Sequence, residues 1–347
     1  MIAMIVVAGE ALIDLIVHPD GHLAAVPGGG PFNTARTIAR LGGKVAFLGR
    51  LSNDRFGSNL REALAADGVD LGLVETTDAP TTLSIAELDD RGAATYRFHT
   101  AETAAPGLTA EAVRRALARR PDALHVGTLG LVLEPMASVL VAGLEAAPEA
   151  TLVMVDPNCR PLVIADRDAY LDRLGRVLRR ADVVKVSAED AAYISPGVPL
   201  EQAVRHLLEA GPSVVLATDG DRAVLVVGRG FAFEVTVPAV TIVDTVGAGD
   251  AFGGAFVACW MEREFGRARL ADAAAVREAV NLAIEVASLT CQRAGADPPR
   301  RAEVACRRRR TGSETNDNRV SDLRLPAMGR AVRPRPDPTA GLTGTIR

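Results

Sequence analysis

The segment Asp244–Phe256 carries the strongest chemical signal in this chain, because a glycine turn leads directly into a run of small residues with a carboxylate at the junction. The N–H groups of Gly247, Ala248 and Gly249 can face one point, where the positive end of the following helix favours an anion. Asp250 stands beside that point and is placed to take a proton from a hydroxyl group that attacks a phosphate. The segment predicts phosphoryl transfer, although glycine turns before helices also occur without catalysis.

Two commoner nucleotide-binding motifs are excluded by the residues themselves. The Walker A loop requires Gly-Lys-Ser or Gly-Lys-Thr, and the chain contains neither tripeptide. In the Rossmann fingerprint the third small residue would fall on Phe252, which is too bulky for a helix to pack closely on a strand. This weakens the alternative of an NAD-dependent enzyme.

The composition is that of an ordinary globular protein, with 347 residues of which 48% are hydrophobic and 24% are charged. That length suffices for one large α/β domain or two smaller ones. The four cysteines lie far apart without a Cys-x-x-Cys pair, which argues against a zinc site or a disulfide framework. The chain lacks a basic leader and an apolar run of membrane-spanning length. We expect a cytoplasmic protein with no membrane role.

Charge divides the chain into two parts. From Arg301 onward there are 11 Arg against 5 Asp and Glu, a net +6, which leaves −10 for the residues before it. The acidic body is poorly suited to nucleic acid. The basic part contains Arg307–Arg310 and has few apolar residues to bury, so a solvated tail is favoured over a nucleic-acid or membrane role. We expect one folded domain over residues 1–300 and a disordered tail over 301–347.

Apolar runs alternate with amphipathic stretches, which is typical of an α/β fold with a doubly wound, mainly parallel sheet flanked by helices. Six runs are predicted as strands: Met4–Val7, Val45–Leu48, Leu124–Val126, Leu152–Val155, Val183–Val186 and Val214–Ala217. Six stretches are predicted as helices: Asn33–Leu41, Phe56–Ala66, Ala110–Arg119, Ala169–Arg179, Leu200–Ala210 and Ala248–Arg263. Thr109 is the expected N-cap of the third.

Two segments interrupt this alternation, Leu12–Val26 and Thr81–Thr100. The second has the pattern of a hairpin with Asp90-Arg91-Gly92 as its turn. Strands outside a doubly wound core suggest a small β-sheet lid inserted in the domain. Such a lid would exclude water, which competes with the acceptor in phosphoryl transfer.

Four motifs in order give the chain a specific resemblance to the PfkB-type (ribokinase-like) carbohydrate kinases, from about Val6 to Pro299. The last motif is the Asp244–Phe256 segment, which is similar to the signature of the family. The others are Gly9–Asp14 with Gly28–Ala35, then Leu48–Gly57 with Gly68–Asp70, and then Asp156–Arg160 with Lys185–Asp190.

The resemblance implies roles for residues on the sugar side. Asp14 would accept hydrogen bonds from sugar hydroxyls, and Asn33 would bind a further hydroxyl. On the residues alone, a solvated turn aspartate and an N-cap asparagine remain alternatives for these two. Glycine would let the backbone approach the sugar ring. The remaining sugar-side residues implied are Gly28, Gly29, Gly30, Phe98, Asn158 and Arg160.

The resemblance further implies ATP and Mg²⁺, with Asp250 as general base and the 247–249 amides as the anion hole. The nucleotide-side positions are Lys185, Ser187, Thr218, Gly220 and Asn281. For Asn281, a side chain pointing to solvent is an equal alternative. The chain departs from the family's Asn-x-x-Glu element, where it has Ser187 and Asp190, so Asp190 would contact the metal through water. A monovalent cation such as K⁺ is an option beside Asp244 and Thr245.

The sugar predicted by resemblance is fructose. Pro31 within Gly-Gly-Gly-Pro-Phe-Asn is similar to fructokinases, which carry Gly-Gly-Ala-Pro-Ala-Asn there, whereas ribokinases have Gly-Gly-Lys-Gly. Other sugars stay open because a few hydroxyl contacts decide specificity. The alternatives are a nucleoside kinase, which would need an apolar base pocket, and a sugar sensor with weak turnover. A homodimer through the lid is a further option.

Overall fold

The computed structural model describes residues 3–89 and 94–311. In chain order the strands in this part of the chain are β1 (Met4–Ala8), β2 (Leu12–Val17), β3 (Leu23–Gly28), β4 (Lys44–Leu48), β5 (Arg50–Ser52), β6 (Glu75–Thr77), β7 (Leu83–Leu88), β8 (Ala94–His99), β9 (Ala123–Gly127), β10 (Leu152–Asp156), β11 (Val183–Ser187), β12 (Val214–Thr218), β13 (Val224–Gly228) and β14 (Phe231–Val235). The helices are α1 (Gly30–Arg40), α2 (Arg55–Ala66), α3 (Ala110–Ala118), α4 (Met136–Ala146), α5 (Arg167–Arg180), α6 (Ala188–Ile194), α7 (Leu200–Glu209), α8 (Ala248–Glu262), α9 (Ala273–Thr290) and α10 (Arg301–Thr311).

The central sheet has eight strands in the order β14-β13-β12-β11-β10-β9-β1-β4. All neighbours from β4 to β12 pair in parallel, and β13 and β14 add an antiparallel hairpin at one edge. The six predicted strands are β1, β4, β9, β10, β11 and β12, so both the strands and the mainly parallel sheet are confirmed. Because these strands run in one direction, their carboxyl ends lie together. We call this end of the strands the carboxyl edge and the opposite end the amino edge.

Helices cover both faces of the central sheet. Alternate residues of β1 show the two layers, because Ile5 and Val7 belong to one buried cluster and Val6 and Ala8 to the other. The first cluster lies against α1, α2, α8 and α9, and the second against α3, α4, α5 and α7. The six predicted helices are all present. Thr109 caps α3 as expected, accepting a hydrogen bond from the Ala112 N–H at 3.2 Å.

Helix α1 begins earlier than the sequence pattern suggested. Its N-cap is Gly29, with φ at 109°, and a Cβ there would lie 2.9 Å from the Glu10 carbonyl oxygen. Only glycine fits that backbone conformation and that space. Asn33 therefore lies within the helix, and the alternative that it is an N-cap is wrong.

A separate four-stranded sheet, ordered β3-β2-β7-β8, contains the two segments that interrupt the α/β alternation. We call it the small sheet. Its register places Asp14 opposite Val26 on one side and Ser84 on the other, and Ser84 opposite Phe98. These side chains share one face, since paired residues in a sheet point the same way. The predicted turn at residues 90–92 lies outside the described residues.

The chain continues as a helix where disorder was expected. Helix α10 spans Arg301–Thr311, so the expectation of disorder from Arg301 is wrong for these residues. Val304 is buried, and Arg301 donates through Nη1 to the Leu41 carbonyl at 3.3 Å. The start of α10 is therefore packed on the domain. Residues 312–347 lie outside the described part. Within the described part, no helix is both long and apolar enough to cross a membrane.

Candidate active site

Two pairs of predicted site residues are in contact at the start of α8: Asn33 with Asp250, and Gly249 with Lys185. Asp250 is in the first turn of α8, and its Oδ2 accepts a hydrogen bond from Asn33 Nδ2 at 2.9 Å. Burial raises the pKa of Asp250 to about 6, with the Asn33 hydrogen bond working against the rise and the charge of Asp156 adding to it. A carboxyl group with that pKa is ionised at neutral pH and basic enough to accept a proton.

The turn before α8 is fixed by its neighbours. Gly247 is the N-cap of α8 in the left-handed conformation, with φ at 76°, and a Cβ there would lie 2.5 Å from Ala296 Cβ. The N–H of Ala248 donates to the Thr245 carbonyl at 3.2 Å, so one of the three amides assigned to the anion hole is already engaged. The N–H groups of Gly247 and Gly249 make no hydrogen bond within the described residues.

A buried ion pair lies directly behind this turn. Lys185 Nζ is 3.0 Å from Asp156 Oδ2, and both side chains are buried. A Cβ on Gly249 would lie 2.9 Å from Lys185 Nζ, so the glycine leaves the room that the ammonium group occupies. Burial works to lower the pKa of Lys185, but the carboxylates of Asp156 and Asp190 raise it on balance. A positive charge therefore stands beside the positive end of α8, which favours an anion at this point.

Three of the predicted sugar-side residues, Asp14, Gly28 and Phe98, belong to the small sheet. A Cβ on Gly28 would lie 2.1 Å from Asp14 Oδ2, so this carboxylate is packed on the glycine backbone. Burial raises the pKa of Asp14, while a hydrogen bond from Ser84 and the charge of Arg160 oppose the rise. The sequence analysis missed Ser84. Alternation marks it as one face of a strand, but only the register of β2 on β7 places it beside Asp14.

Asn158 and Arg160 follow β10 and reach the same space. Asn158 has φ at 38°, an uncommon backbone conformation that tends to occur at functional sites. Burial raises the pKa of Asp14, Asp156 and Asp250, and the positive charge of Arg160 opposes the rise in each. Phe98 is half-buried and packs against the second buried cluster.

Ser187 and Asp190 cap helix α6. Ser187 Oγ accepts from the Asp190 N–H at 3.0 Å, and Asp190 Oδ2 accepts from the Ser187 N–H at 2.9 Å. Asp190 Oδ1 also accepts from the Cys159 N–H at 2.6 Å. Within the described residues no group of three or more His, Cys, Asp or Glu side chains could hold a metal ion.

The other nucleotide-side positions are Thr218, Gly220 and Asn281. Thr218 ends β12 beside Ser187, and its Oγ1 donates to the Val186 carbonyl at 3.4 Å. Gly220 has φ at 60° and open space around its Cα. Asn281 lies on α9 with a buried Oδ1 that has no hydrogen-bond partner in the described residues. This oxygen is turned away from solvent, while the residue as a whole is half-buried.

Asp244 and Thr245 belong to the loop that precedes α8. Asp244 Oδ1 accepts from the Val246 N–H at 3.0 Å, and Oδ2 accepts from the Gly295 N–H at 2.8 Å. The carboxylate therefore joins this loop to the segment that follows α9.

Two further residues, Glu10 and Thr128, lie beside the site, and the sequence did not predict a role for either. Glu10 is 1% exposed, and its carboxylate accepts from the N–H groups of Gly30 at 3.2 Å and Gly130 at 3.0 Å, and from the Thr128 hydroxyl. Burial raises the pKa of Glu10 to about 7, while the hydrogen bonds from Thr128 and Gly30 lower it and the Asp250 charge raises it further. Thr128 has φ at 53°, which the sequence could not reveal.

Comparison with known proteins places this geometry in a family. A sequence model of the pfkB family of carbohydrate kinases matches residues 2–302. The chain is 35% identical over 249 residues to a fructokinase of Klebsiella pneumoniae, covering 71% of this chain and 80% of that one. The structure of Xylella fastidiosa fructokinase with bound ATP aligns at a TM-score of 0.82 with 27% identity, covering 90% of this chain and 100% of that one.

The fold is also similar to that of a solved structure with a bound sugar. Vibrio cholerae fructokinase with fructose, ADP and calcium aligns at a TM-score of 0.75 with 26% identity, covering 88% of this chain and 98% of that one. The expected similarity over nearly the whole folded domain is thereby confirmed. The chain belongs to the pfkB family of carbohydrate kinases.

Proposed function

We propose that this protein is a fructokinase that transfers the γ-phosphoryl group of ATP to a hydroxyl group of fructose. The observation that carries the proposal is the Asp250 carboxylate, held by Asn33 at the start of α8 with a pKa raised to about 6. The fructokinases among its relatives, and the neighbours with ATP or with fructose and ADP bound, support the choice of substrates.

In this proposal Asp250 takes the proton of the acceptor hydroxyl as that oxygen attacks the γ-phosphorus. The amides of Gly247 and Gly249 and the ammonium of Lys185 stabilise the charge on the transferred group. Asn33 holds Asp250 in place by donating a hydrogen bond from Nδ2 to Asp250 Oδ2. The amide of Ala248, which we had included in the anion hole, is left out because it donates to Thr245.

Sugar recognition is assigned to the face of the small sheet and to the glycine segment. Asp14 accepts hydrogen bonds from two hydroxyl groups, and Gly28, Gly29 and Gly30 allow close approach of the ring. Ser84 lies opposite Asp14 in the pairing of β2 with β7, and its hydroxyl opposes the rise that burial causes in the pKa of that carboxyl. Phe98 offers an apolar surface. Asn158 and Arg160 complete the sugar side.

The nucleotide is assigned to Lys185, Ser187, Thr218, Gly220 and Asn281. Among the described residues no cluster of His, Cys, Asp or Glu could enclose Mg²⁺, and Asp190 already accepts two backbone hydrogen bonds. Mg²⁺ would neutralise charge on the phosphates, and Asp190 would be the side chain that contacts it, through water. K⁺ beside Asp244 and Thr245, a homodimer through the small sheet, and a cytoplasmic location stay predictions.

The test is an ADP-release assay of the purified protein with ATP and Mg²⁺ against fructose, ribose, other ketoses and adenosine. Turnover that is highest with fructose supports the proposal, and mass measurement of the phosphorylated sugar confirms the transfer. Higher kcat/KM on adenosine would favour a nucleoside kinase. Thermal stabilisation by fructose without turnover would instead favour the sugar sensor.

A further inference from the structure

We propose that Glu10 and Thr128 are positioning residues. They hold the start of α1 against the Asp250 carboxylate, so that Asp250 is correctly placed to accept the proton of the acceptor hydroxyl group. The inference rests on the proposed kinase function and assigns it two residues outside the sugar, nucleotide and base positions above.

Glu10 joins three segments of the chain. It follows β1, and its carboxylate accepts one N–H at the start of α1, from Gly30, and one after β9, from Gly130. Its third bond is to the Thr128 hydroxyl. Glu10 has no ion pair in the part of the chain that the structure describes, so an unpaired carboxylate is kept in the interior. Burying such a group is costly, and its retention calls for a reason beyond filling space.

Thr128 is held in a backbone conformation that threonine rarely adopts. Its φ of 53° lies in the left-handed region, which a β-branched residue enters only at a cost. Such strain persists where surrounding contacts impose it, and it tends to occur at functional sites. In this conformation the Thr128 hydroxyl donates a hydrogen bond to Glu10.

Gly30 connects this pair to Asp250. A Cβ placed on Gly30 would lie 2.4 Å from Thr128 Cγ2 on one side and 3.1 Å from Asp250 Oδ1 on the other. Gly30 therefore lies next to both Thr128 and the Asp250 carboxylate, with no room there for a side chain. Because α1 also carries Asn33, which binds the other oxygen of Asp250, a shift at the start of α1 moves both contacts of the carboxylate together.

A matched set of variants separates positioning from folding. Thr128→Val keeps the shape and loses the hydroxyl group, and Thr128→Ser keeps the hydroxyl group and loses the methyl. Glu10→Gln removes one acceptor oxygen and supplies a second route to the same effect. Thr37→Val is the control, because Thr37 is a buried threonine of α1 whose hydroxyl donates to the Asn33 carbonyl of the same helix at 2.9 Å.

Initial rates are measured with ATP, Mg²⁺ and the sugar that wild type turns over best, at a temperature where circular dichroism shows each variant folded. We expect kcat of Thr128→Val and Glu10→Gln to fall by about 10- to 100-fold while KM for the sugar changes less than about threefold. Thr128→Ser and Thr37→Val should keep kcat within about threefold of wild type.

Equal kcat in Thr128→Val and Thr128→Ser would overturn the inference, as would losses of kcat that follow only the fall in Tm. If Thr128→Val does not fold, Glu10→Gln decides by the same criterion. Failure of wild type to phosphorylate any sugar would refute the proposed function and this inference with it, whereas an active wild type with an unaffected Thr128→Val refutes the inference alone.

Discussion

Buried carboxylates lie at both edges of the central sheet, and they differ in how fully they are paired. At the amino edge Asp182 precedes β11 and accepts from the Val153 N–H at 2.8 Å and from Arg267 Nε at 2.7 Å, with Arg180 at 3.4 Å. At the carboxyl edge Glu10 has no ion pair in the described residues, and Asp156 keeps one buried oxygen without a partner there. Burial raises the pKa of Glu10, Asp156 and Asp250.

The same side chain thus has two physical uses. A buried carboxylate with a full set of donors holds chain segments together, because removing it strands the cations and N–H groups around it. A buried carboxylate with incomplete pairing is less stable when ionised and more ready to bind a proton or a ligand. In this protein Asp182 is of the first kind at one end of the parallel strands, and Asp156, beside the candidate catalytic base at the other end, is of the second kind.

The largest effect that would test this contrast is expected from Asp250→Asn. An amide cannot take the proton of the acceptor hydroxyl, so kcat should fall by about 10²- to 10⁴-fold. Because burial raises the pKa of Asp250, the ionised carboxylate is unfavourable in the fold, and Tm should not decrease. Steady-state kinetics and a thermal melt are measured together. Retention of kcat would remove Asp250 from the role of base.

The converse outcome is expected for Asp182→Asn at the amino edge. Losing the charge between Arg180 and Arg267 should lower the free energy of unfolding by roughly 3 kcal/mol, measured by urea denaturation. At a temperature where the variant is folded, kcat should stay within about threefold of wild type. A large loss of kcat in folded Asp182→Asn would mean that the two edges are not functionally separate.

The sequence predicted the local elements of the structure better than the long-range pairing of the carboxylates. Local patterns were enough for the six parallel strands, the six helices and the glycine turn before Asp250, because period, capping and glycine act over a few residues. The pairing of carboxylates depends on contacts across more than a hundred residues, such as Glu10 with Thr128 and Gly130. Ser84 beside Asp14 likewise depends on strand register, and no single segment contains that information.

At the start of α10 the composition predicted too little structure. Composition predicted disorder from Arg301, but Arg301 and Val304 contact the domain and the helix forms. Arginine is a good helix former, and tertiary contacts of a few residues can order a segment that lacks an apolar face.

The pH dependence of kcat/KM gives an intermediate effect at the carboxyl edge. With the pKa of Asp250 raised to about 6, the base is ionised above that pH and protonated below it. We therefore expect kcat/KM to fall about tenfold for each pH unit below about 6. In Asn33→Ala the hydrogen bond that lowers this pKa is lost, so the acid limb should move to higher pH. An acid limb that stays in place in Asn33→Ala would contradict the assignment of that limb to Asp250.

The smallest effect concerns His125, a buried base on β9 whose ring nitrogens have no hydrogen-bond partner in the described residues. Burial, aided by the charge of Lys185, lowers its pKa from 6.5 to about 4. The unfolded chain therefore binds a proton that the folded chain does not, and stability is lost as pH falls from about 6.5 towards 4. Between about pH 7.5 and 5.5 the loss should be about 1 kcal/mol. His125→Leu should remove that loss, as measured by urea denaturation at the two pH values. Glu10 and Asp250 contribute to the pH dependence of stability with the opposite sign, but they are present in both proteins, so their contribution cancels when the two are compared. An unchanged pH dependence in His125→Leu would show that the imidazole is not the group that titrates.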